Sequence, residues 1–307
     1  MRRRYRFDLA PLLRILQDGA NDEPYTSKEE GLSDKAILRL FLQSTHKDKI
    51  DPTIGWVDTS YTHDVVGGGL VDAEVIRHSR LYAMPFYSCC FSLPKHLRIL
   101  ALQRFYVEID DSKSFHRIAL SLHERFGLGH EGRGMLERIC NDDKLYGDIG
   151  SYYGVNAAVI KEGVHRISND GKLSTWRTCA GIPDIVPDHF FMLNWRKVST
   201  GMTEYIRKHN PKLVDLIRKK WPTKQGGRTR TPELTLKSYL LQEQEAHALR
   251  VKMKICDRYG IEYGPGCHDG LAVDAHLSPE RLAGLIQEME REILKATGVP
   301  AVLVVKG

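Results

Sequence analysis

A chain of 307 residues with 42% hydrophobic content can bury a full core in one large or two modest domains, which excludes disorder as its main state. No run approaches the eighteen or more apolar residues of a membrane span, and the basic start Met1-Arg2-Arg3-Arg4 is not followed by the apolar core of a secretion signal; the expectation is residence in the cytoplasm, an organellar matrix or a host cytoplasm, with no membrane partner. The net charge of +6 is unevenly spread: from Arg196 to Lys254 there are fifteen Lys or Arg against five Asp or Glu, a concentration suited to a polyanion such as nucleic acid. Six cysteines without a CxxC or a zinc spacing point to reduced thiols.

Within residues 1–75, Phe7 to Leu16 and Ser33 to Leu42 carry helical apolar spacing, the second with Ser33 as a cap, and polar, Gly-rich connections follow them. Arg77-His78-Ser79-Arg80-Leu81-Tyr82-Ala83 comes next, then Leu93-Pro94-Lys95-His96-Leu97-Arg98. A guanidinium at Arg80 can hold a phosphate bidentately or enter a minor groove. Phe105-Tyr106-Val107-Glu108-Ile109-Asp110 alternates aromatic and β-branched residues and so predicts a strand ending in Asp110, after which the spacing turns helical through Ile118, Leu120 and Leu122. A carboxylate at a strand end where a helix begins is well placed to hold a divalent cation.

Between Arg133 and Asn156 lie Arg138, Lys144 and Tyr152-Tyr153-Gly154, and from Ser151 to Pro187 the chain is mixed and Gly-rich. Thr203 to Trp221 predicts a basic amphipathic helix. A basic glycine turn follows from Lys224 to Pro232, with Arg228 and Arg230 able to track a phosphate backbone. Leu236 to Tyr259 is free of Gly and Pro and predicts a long helix carrying Gln242 and Ala246. Gly260, Gly264, Pro265 and Gly266 then break the chain before Cys267-His268-Asp269-Gly270, and a short apolar strand, Leu271-Ala272-Val273, follows. This puts Asp269 at the tip of a strand-turn-strand hairpin. An amphipathic helix through Leu282, Leu285, Ile286, Met289 and Ile293 covers it, and a strand from Val299 to Val305 closes the chain.

Taken in order, these stretches resemble the palm and fingers of family A (polymerase I-like) DNA polymerases, reduced and divergent, over roughly 77–306. The likeness is strongest in GCHDGLAVDAHLSPERLAGLIQEMEREIL and weakest in the fingers. It implies an α+β fold, a right-hand polymerase palm with an antiparallel sheet and a helical fingers insertion. The expected layout is a helical N-terminal region over 1–75, thumb-like or accessory, the first part of the palm over 76–125, fingers over 126–237 and the second part of the palm over 238–307.

The activity so implied is template-directed transfer of dNTPs to a primer 3′-hydroxyl. Asp110 and Asp269 would be the catalytic acids and the ligands of two Mg2+ ions, for which Mn2+ can substitute. Phosphoryl transfer needs charge neutralised on the triphosphate and a nucleophilic hydroxyl at neutral pH, which two metals supply. The family's first palm motif has Ser two places and Arg seven places after its Asp, here Ser112 and Arg117. Phe115 stands where the family has a ribonucleotide-excluding Glu, and its ring is expected to block a 2′-hydroxyl sterically. Arg138, Lys144 and Tyr153 are set against the nucleotide-binding face of the fingers helix, and Arg80, Arg117, Arg228, Arg230, Gln242 and His268 against primer-template contacts.

The expected partners are primer-template nucleic acid, nucleoside triphosphates, and a protein replacing the missing thumb or exonuclease. The chain departs from the family at Gly270, where Glu is usual, at Glu243 and at His247. Two alternatives stay open. One is a phage-type single-subunit RNA polymerase relative, suggested by Arg80-Leu81-Tyr82. The other is a catalytically impaired palm-fold nucleic-acid-binding protein, suggested by Gly270, by the conflicting register at Lys144 and by the missing thumb.

Overall fold

The computed structural model describes residues 2–17, 34–43, 45–62, 82–84, 93–220, 232–267 and 269–306. Its architecture is mixed, with antiparallel sheets and many helices, in two compact units. Of the described residues, 2–62, 82–84, 93–112 and 245–306 fall in the first unit and 113–244 in the second. No helix among the described residues is long and apolar enough to cross a membrane.

The first unit holds two four-stranded sheets. In one, β3 (Ile54–Thr62) pairs antiparallel with β1 (Arg2–Asp8), β2 (Thr45–Lys47) and β4 (Tyr82–Met84). Tyr5 and Phe7 alternate inward from β1 while Arg4 is exposed, the period-2 pattern of a half-buried strand. Phe7 meets Phe41 edge-on at 5.1 Å, which seats α2 (Asp34–Gln43) and α1 (Leu9–Gln17) on this sheet together with α3 (Lys95–Leu102). The sequence reading of residues 1–75 as helical missed these strands.

The second sheet runs β6-β7-β5-β8, from β6 (Tyr263–Cys267), β7 (Gly270–Asp274), β5 (Tyr106–Asp111) and β8 (Leu303–Lys306), all antiparallel. Its two faces are used differently. Ile109, Leu271, Val273 and Leu303 join a core with Leu249, Met253 and Cys256 of α11 (Pro232–Tyr259) and with Leu285, Met289 and Ile293 of α12 (Pro279–Thr297). Tyr106 and Ala272 point the other way, into the core around Phe7 and Phe41. Asp110, next to Ile109 on β5, belongs by alternation to that second face.

The second unit is helical: α4 (Ser114–Ser121), α5 (His130–Asn141), α6 (Leu145–Tyr153), α7 (Ala157–Ser168), α8 (Leu173–Cys179), α9 (Phe190–His209), α10 (Pro211–Lys220) and the first thirteen residues of α11. Trp176, Trp195, Phe126, Ile160 and Val164 are buried in it. The segment around Ser151 to Pro187, which its glycines made look irregular, is mostly helix. The helix expected from Thr203 to Trp221 is two helices, broken at Asn210 because Pro211 has no N–H to continue the ladder.

Candidate active site

The candidate site is built where three strands of the second sheet end together. β5 pairs with β7 from Tyr106↔Asp274 to Ile109↔Leu271, so Asp110 is the next residue on one strand, Gly270 the next on the other, and Asp269 sits in the turn just beyond. On its other side β5 pairs Asp110 with Val304 and Asp111 with Leu303 of β8. Two acids separated by most of the chain are thus brought to adjacent strands. The hairpin that carries Asp269 can lie close against α11 because Gly266 has no side chain: a Cβ there would come within 2.8 Å of Met253 Cε and 3.1 Å of Leu249 Cδ1.

Below the turn, α11 contributes two charged side chains that sequence reasoning passed over. Glu245 is 3% exposed and Lys252 wholly buried. Seven residues apart, they lie on one face of the helix two turns from each other. Lys252 Nζ donates a hydrogen bond to the main-chain carbonyl of Asp269. Burial pushes the Lys252 ammonium pKa down, and Asp111, Asp269, Asp110 and Glu245, in that order, pull it back up. The Asp269 carboxyl is pushed up to about 7, first by burial, then by the charges of Asp110 and Glu245, with Lys252 opposing them. The effects on Lys252 and Asp269 tie the four acids and one base into a single electrostatic cluster.

Two of the four acids already have strong partners. Asp110 Oδ2 is in an ion pair with Lys306 Nζ, which reaches it diagonally from β8. Asp111, next to Asp110 and on the opposite face, accepts a hydrogen bond from Val302 N at 3.2 Å and so anchors the start of β8. Among the described residues no group of three or more His, Cys, Asp or Glu is disposed to hold a metal ion.

The other sequence-derived candidates are spread over the second unit. Arg117 is partly buried, with Nη2 donating to Cys140 O at 3.4 Å, and Phe115 stands edge-on to His116 at 5.2 Å. Arg138 is exposed, 3.9 Å from Asp142 and with its guanidinium 5.4 Å from the Phe191 ring; Lys144 is also exposed, preceding α6. Tyr153 is a core residue, 6% exposed, packed on Trp176 at 5.7 Å, its hydroxyl accepting from His189 N at 2.5 Å. The ring of the pair that meets solvent is Tyr152, 46% exposed. Gln242 is partly buried and its Oε1 finds no hydrogen-bond partner among the described residues. Arg80, Arg228, Arg230 and His268 lie outside the described residues.

Of the basic stretch, Arg196, Lys197, Arg207, Lys208, Lys212 and Arg218 are exposed on α9 and α10. Lys237 and Lys252 are its buried exceptions. Lys237 Nζ binds Asp170 Oδ1 at 3.1 Å and Ser199 Oγ at 3.2 Å, a structural ion pair inside the second unit.

No family model matches the chain and no curated protein matches it. Among solved structures it is similar to the POL domain of Pol1 from M. smegmatis, determined in complex with DNA primer-template and dNTP, with 14% sequence identity and a TM-score of 0.45. That likeness covers 89% of this chain and 50% of the other, so the chain spans about half the length of that structure.

Proposed function

We propose that this chain is a nucleic-acid-binding protein built on a polymerase-type palm, with Asp110 and Asp269 as its divalent-cation centre. The observation that carries this is the juxtaposition of the two acids at the end of the β6-β7-β5-β8 sheet, where the charge of Asp110 helps push the Asp269 carboxyl up. Nucleic acid as partner is supported by the exposed basic residues of α9 and α10 and by the ordered sequence motifs. Affinity should therefore fall steeply with salt.

The donor chemistry suits magnesium. Carboxylate oxygens are the ligands this hard cation prefers, and it is commonly held by one or two carboxylates plus substrate phosphates rather than by a complete protein cage. The absence of a three-acid cage among the described residues is compatible with that mode. When bound, the metal would neutralise triphosphate charge and lower the pKa of a primer 3′-hydroxyl. The residues' own part is to hold that cation against the sheet end and to keep the cluster from flying apart.

The finer reading, addition of dNTPs to a primer, competes with a palm that binds nucleic acid and turns over poorly or not at all. A specific feature favours the second: Lys306 is paired with the Asp110 carboxylate, and the buried ammonium of Lys252 is bound to the main-chain carbonyl of Asp269, so a protein cation already stands beside each acid. Fluorescence anisotropy with labelled primer-template, run beside primer extension in Mg2+ or Mn2+ with dNTPs or NTPs, separates the readings. Binding without extension supports the impaired palm. Extension with dNTPs that Asp269→Asn abolishes, with binding unchanged, supports the polymerase; extension with NTPs alone supports the RNA polymerase relative. Failure to bind primer-template at low salt would sink all three.

A further inference from the structure

We infer that Lys252 is a resident cation of the acid cluster, a positioning residue that fixes the Asp269 turn and lowers the affinity of the site for divalent ions. This rests on the proposal that Asp110 and Asp269 form a cation centre, and adds a role for a residue on a different element.

The geometry is specific. Lys252, two turns before the end of α11, is wholly buried, and its ammonium ends on the backbone of the very residue whose carboxylate belongs to the centre. An ammonium has three N–H donors and no acceptor, so once it is removed from water it must be surrounded by oxygen. The Asp269 carbonyl supplies one such oxygen directly, and the negative charges of Asp111, Asp269, Asp110 and Glu245 favour the ammonium from further off. Leu249 and Cys256, three residues before it and four after it on the same helix face, are buried as it is.

Charge accounting gives the consequence. Lys252 brings one positive charge to the turn that carries Asp269, and Lys306 brings one to Asp110. Without Lys252 the turn carbonyl of Asp269 would lose its donor, and Lys306, paired with Asp110 alone, would be the remaining cation shown against an acid of the cluster. Lys252 therefore does part of what a metal does: it holds the acids together when no metal is present. For the same reason it repels an arriving metal.

The test is Mn2+ binding followed by the loss of the free-ion EPR signal, together with melting temperature with and without Mn2+, on the full chain. Wild type should bind Mn2+, and Asp269→Asn should lose that binding. Lys252→Met should melt lower than wild type without metal, gain more from saturating Mn2+, and bind Mn2+ roughly tenfold more tightly, as expected for removing one positive charge from a partly buried site. A second variant, Lys252→Met with Glu245→Gln, removes one charge of each sign. It should recover much of the metal-free melting temperature and return the Mn2+ affinity to within a few-fold of wild type, an outcome that loss of packing alone would not produce, and it serves where the single variant fails to fold. Mn2+ binding that is lost in Asp269→Asn but unchanged when Lys252 is replaced overturns the role of Lys252 and leaves the cation centre standing. If wild type binds no Mn2+, the centre falls, and this inference falls with it.

Discussion

Acid should loosen the second unit through one side chain, His116. Its ring is wholly buried, with Nε2 3.1 Å from Ser168 Oγ and with Phe115, His165 and Trp195 around it at 5.2, 5.3 and 5.8 Å. Nδ1 has no hydrogen-bond partner among the described residues, so a proton placed there would meet no acceptor. Burial, then the positive fields of His165, Lys113 and Lys161, push the imidazole from 6.5 down to about 3. In the unfolded chain it would return to the ordinary value. The folded pKa is the lower of the two, so the unfolded state binds the extra proton first; stability is fully present above pH 6.5 and is lost as pH falls from there toward 3.

At pH 5 the unfolded imidazole is charged and the folded one is not. The gap between 6.5 and 5 is then worth about 2 kcal/mol, at about 1.4 kcal/mol per pH unit. Urea unfolding at pH 7 and pH 5, followed by the fluorescence of Trp176 and Trp195, should show that loss in the wild type. His116→Leu should have a smaller loss over the same interval by about 2 kcal/mol, because every other titrating group is common to both proteins. Ser168 keeps its bonds to Val164 O and from Trp195 Nε1 in the variant, so the unit should still fold. The reasoning is refuted if the two proteins lose equal stability between pH 7 and pH 5.

The ion pair of Lys237 offers a second test: with the ammonium 1% exposed and bound to Asp170 and Ser199, Lys237→Met should cost about 3–5 kcal/mol in denaturant unfolding, since a half-buried carboxylate is left uncompensated. Adding Asp170→Asn should recover most of that loss, asparagine being tolerant of the positive φ found at Asp170. At the hairpin, Gly266→Val should lower stability by about 1–3 kcal/mol through collision with Met253 and Leu249, and Met253→Ala in the same chain should relieve part of it, as read by thermal denaturation.

The elements around the candidate site were legible because local and tertiary preferences agree there. Val107 and Ile109 alternate with polar residues, and glycines and a proline isolate the hairpin from α11. In α12, Ser278 accepts from Arg281 N at 3.3 Å, Pro279 follows it, and Gly298 closes the helix at φ 70°, so both ends are written in the sequence. The N-terminal sheet was not legible, since the run Arg2-Arg3-Arg4-Tyr5-Arg6-Phe7 reads first as a block of charge. Only the buried Tyr5 and Phe7 reveal a strand in it, and their burial depends on β3, α2 and α3 lying over them. Arg6 is drawn into the same strand by Glu262, which it meets at 2.8 Å from the far side of the chain.

Glu245 and Lys252 show where reading by period stops. Along α11 they fall on the stripe that includes Ala248, Leu249 and Met253, and a charged residue on such a stripe is ordinarily a place where the helix meets solvent. Gln242 and Ala246 drew attention instead because they matched a motif. What favours Lys252 inside is the carbonyl of Asp269, on the next hairpin, and the negative charge of Asp110 and Asp111, more than 140 residues earlier. A helical period carries no information about those residues. The usable signal is a conjunction: an acid and a base two turns apart on an otherwise apolar helix face, in a chain that also places acids at the ends of two strands. Lys252 ends on the Asp269 turn and shares the field of the sheet's acids, so the charge pattern of α11 and the acid pair of the sheet are one feature, and a substitution that neutralises either should be felt at both.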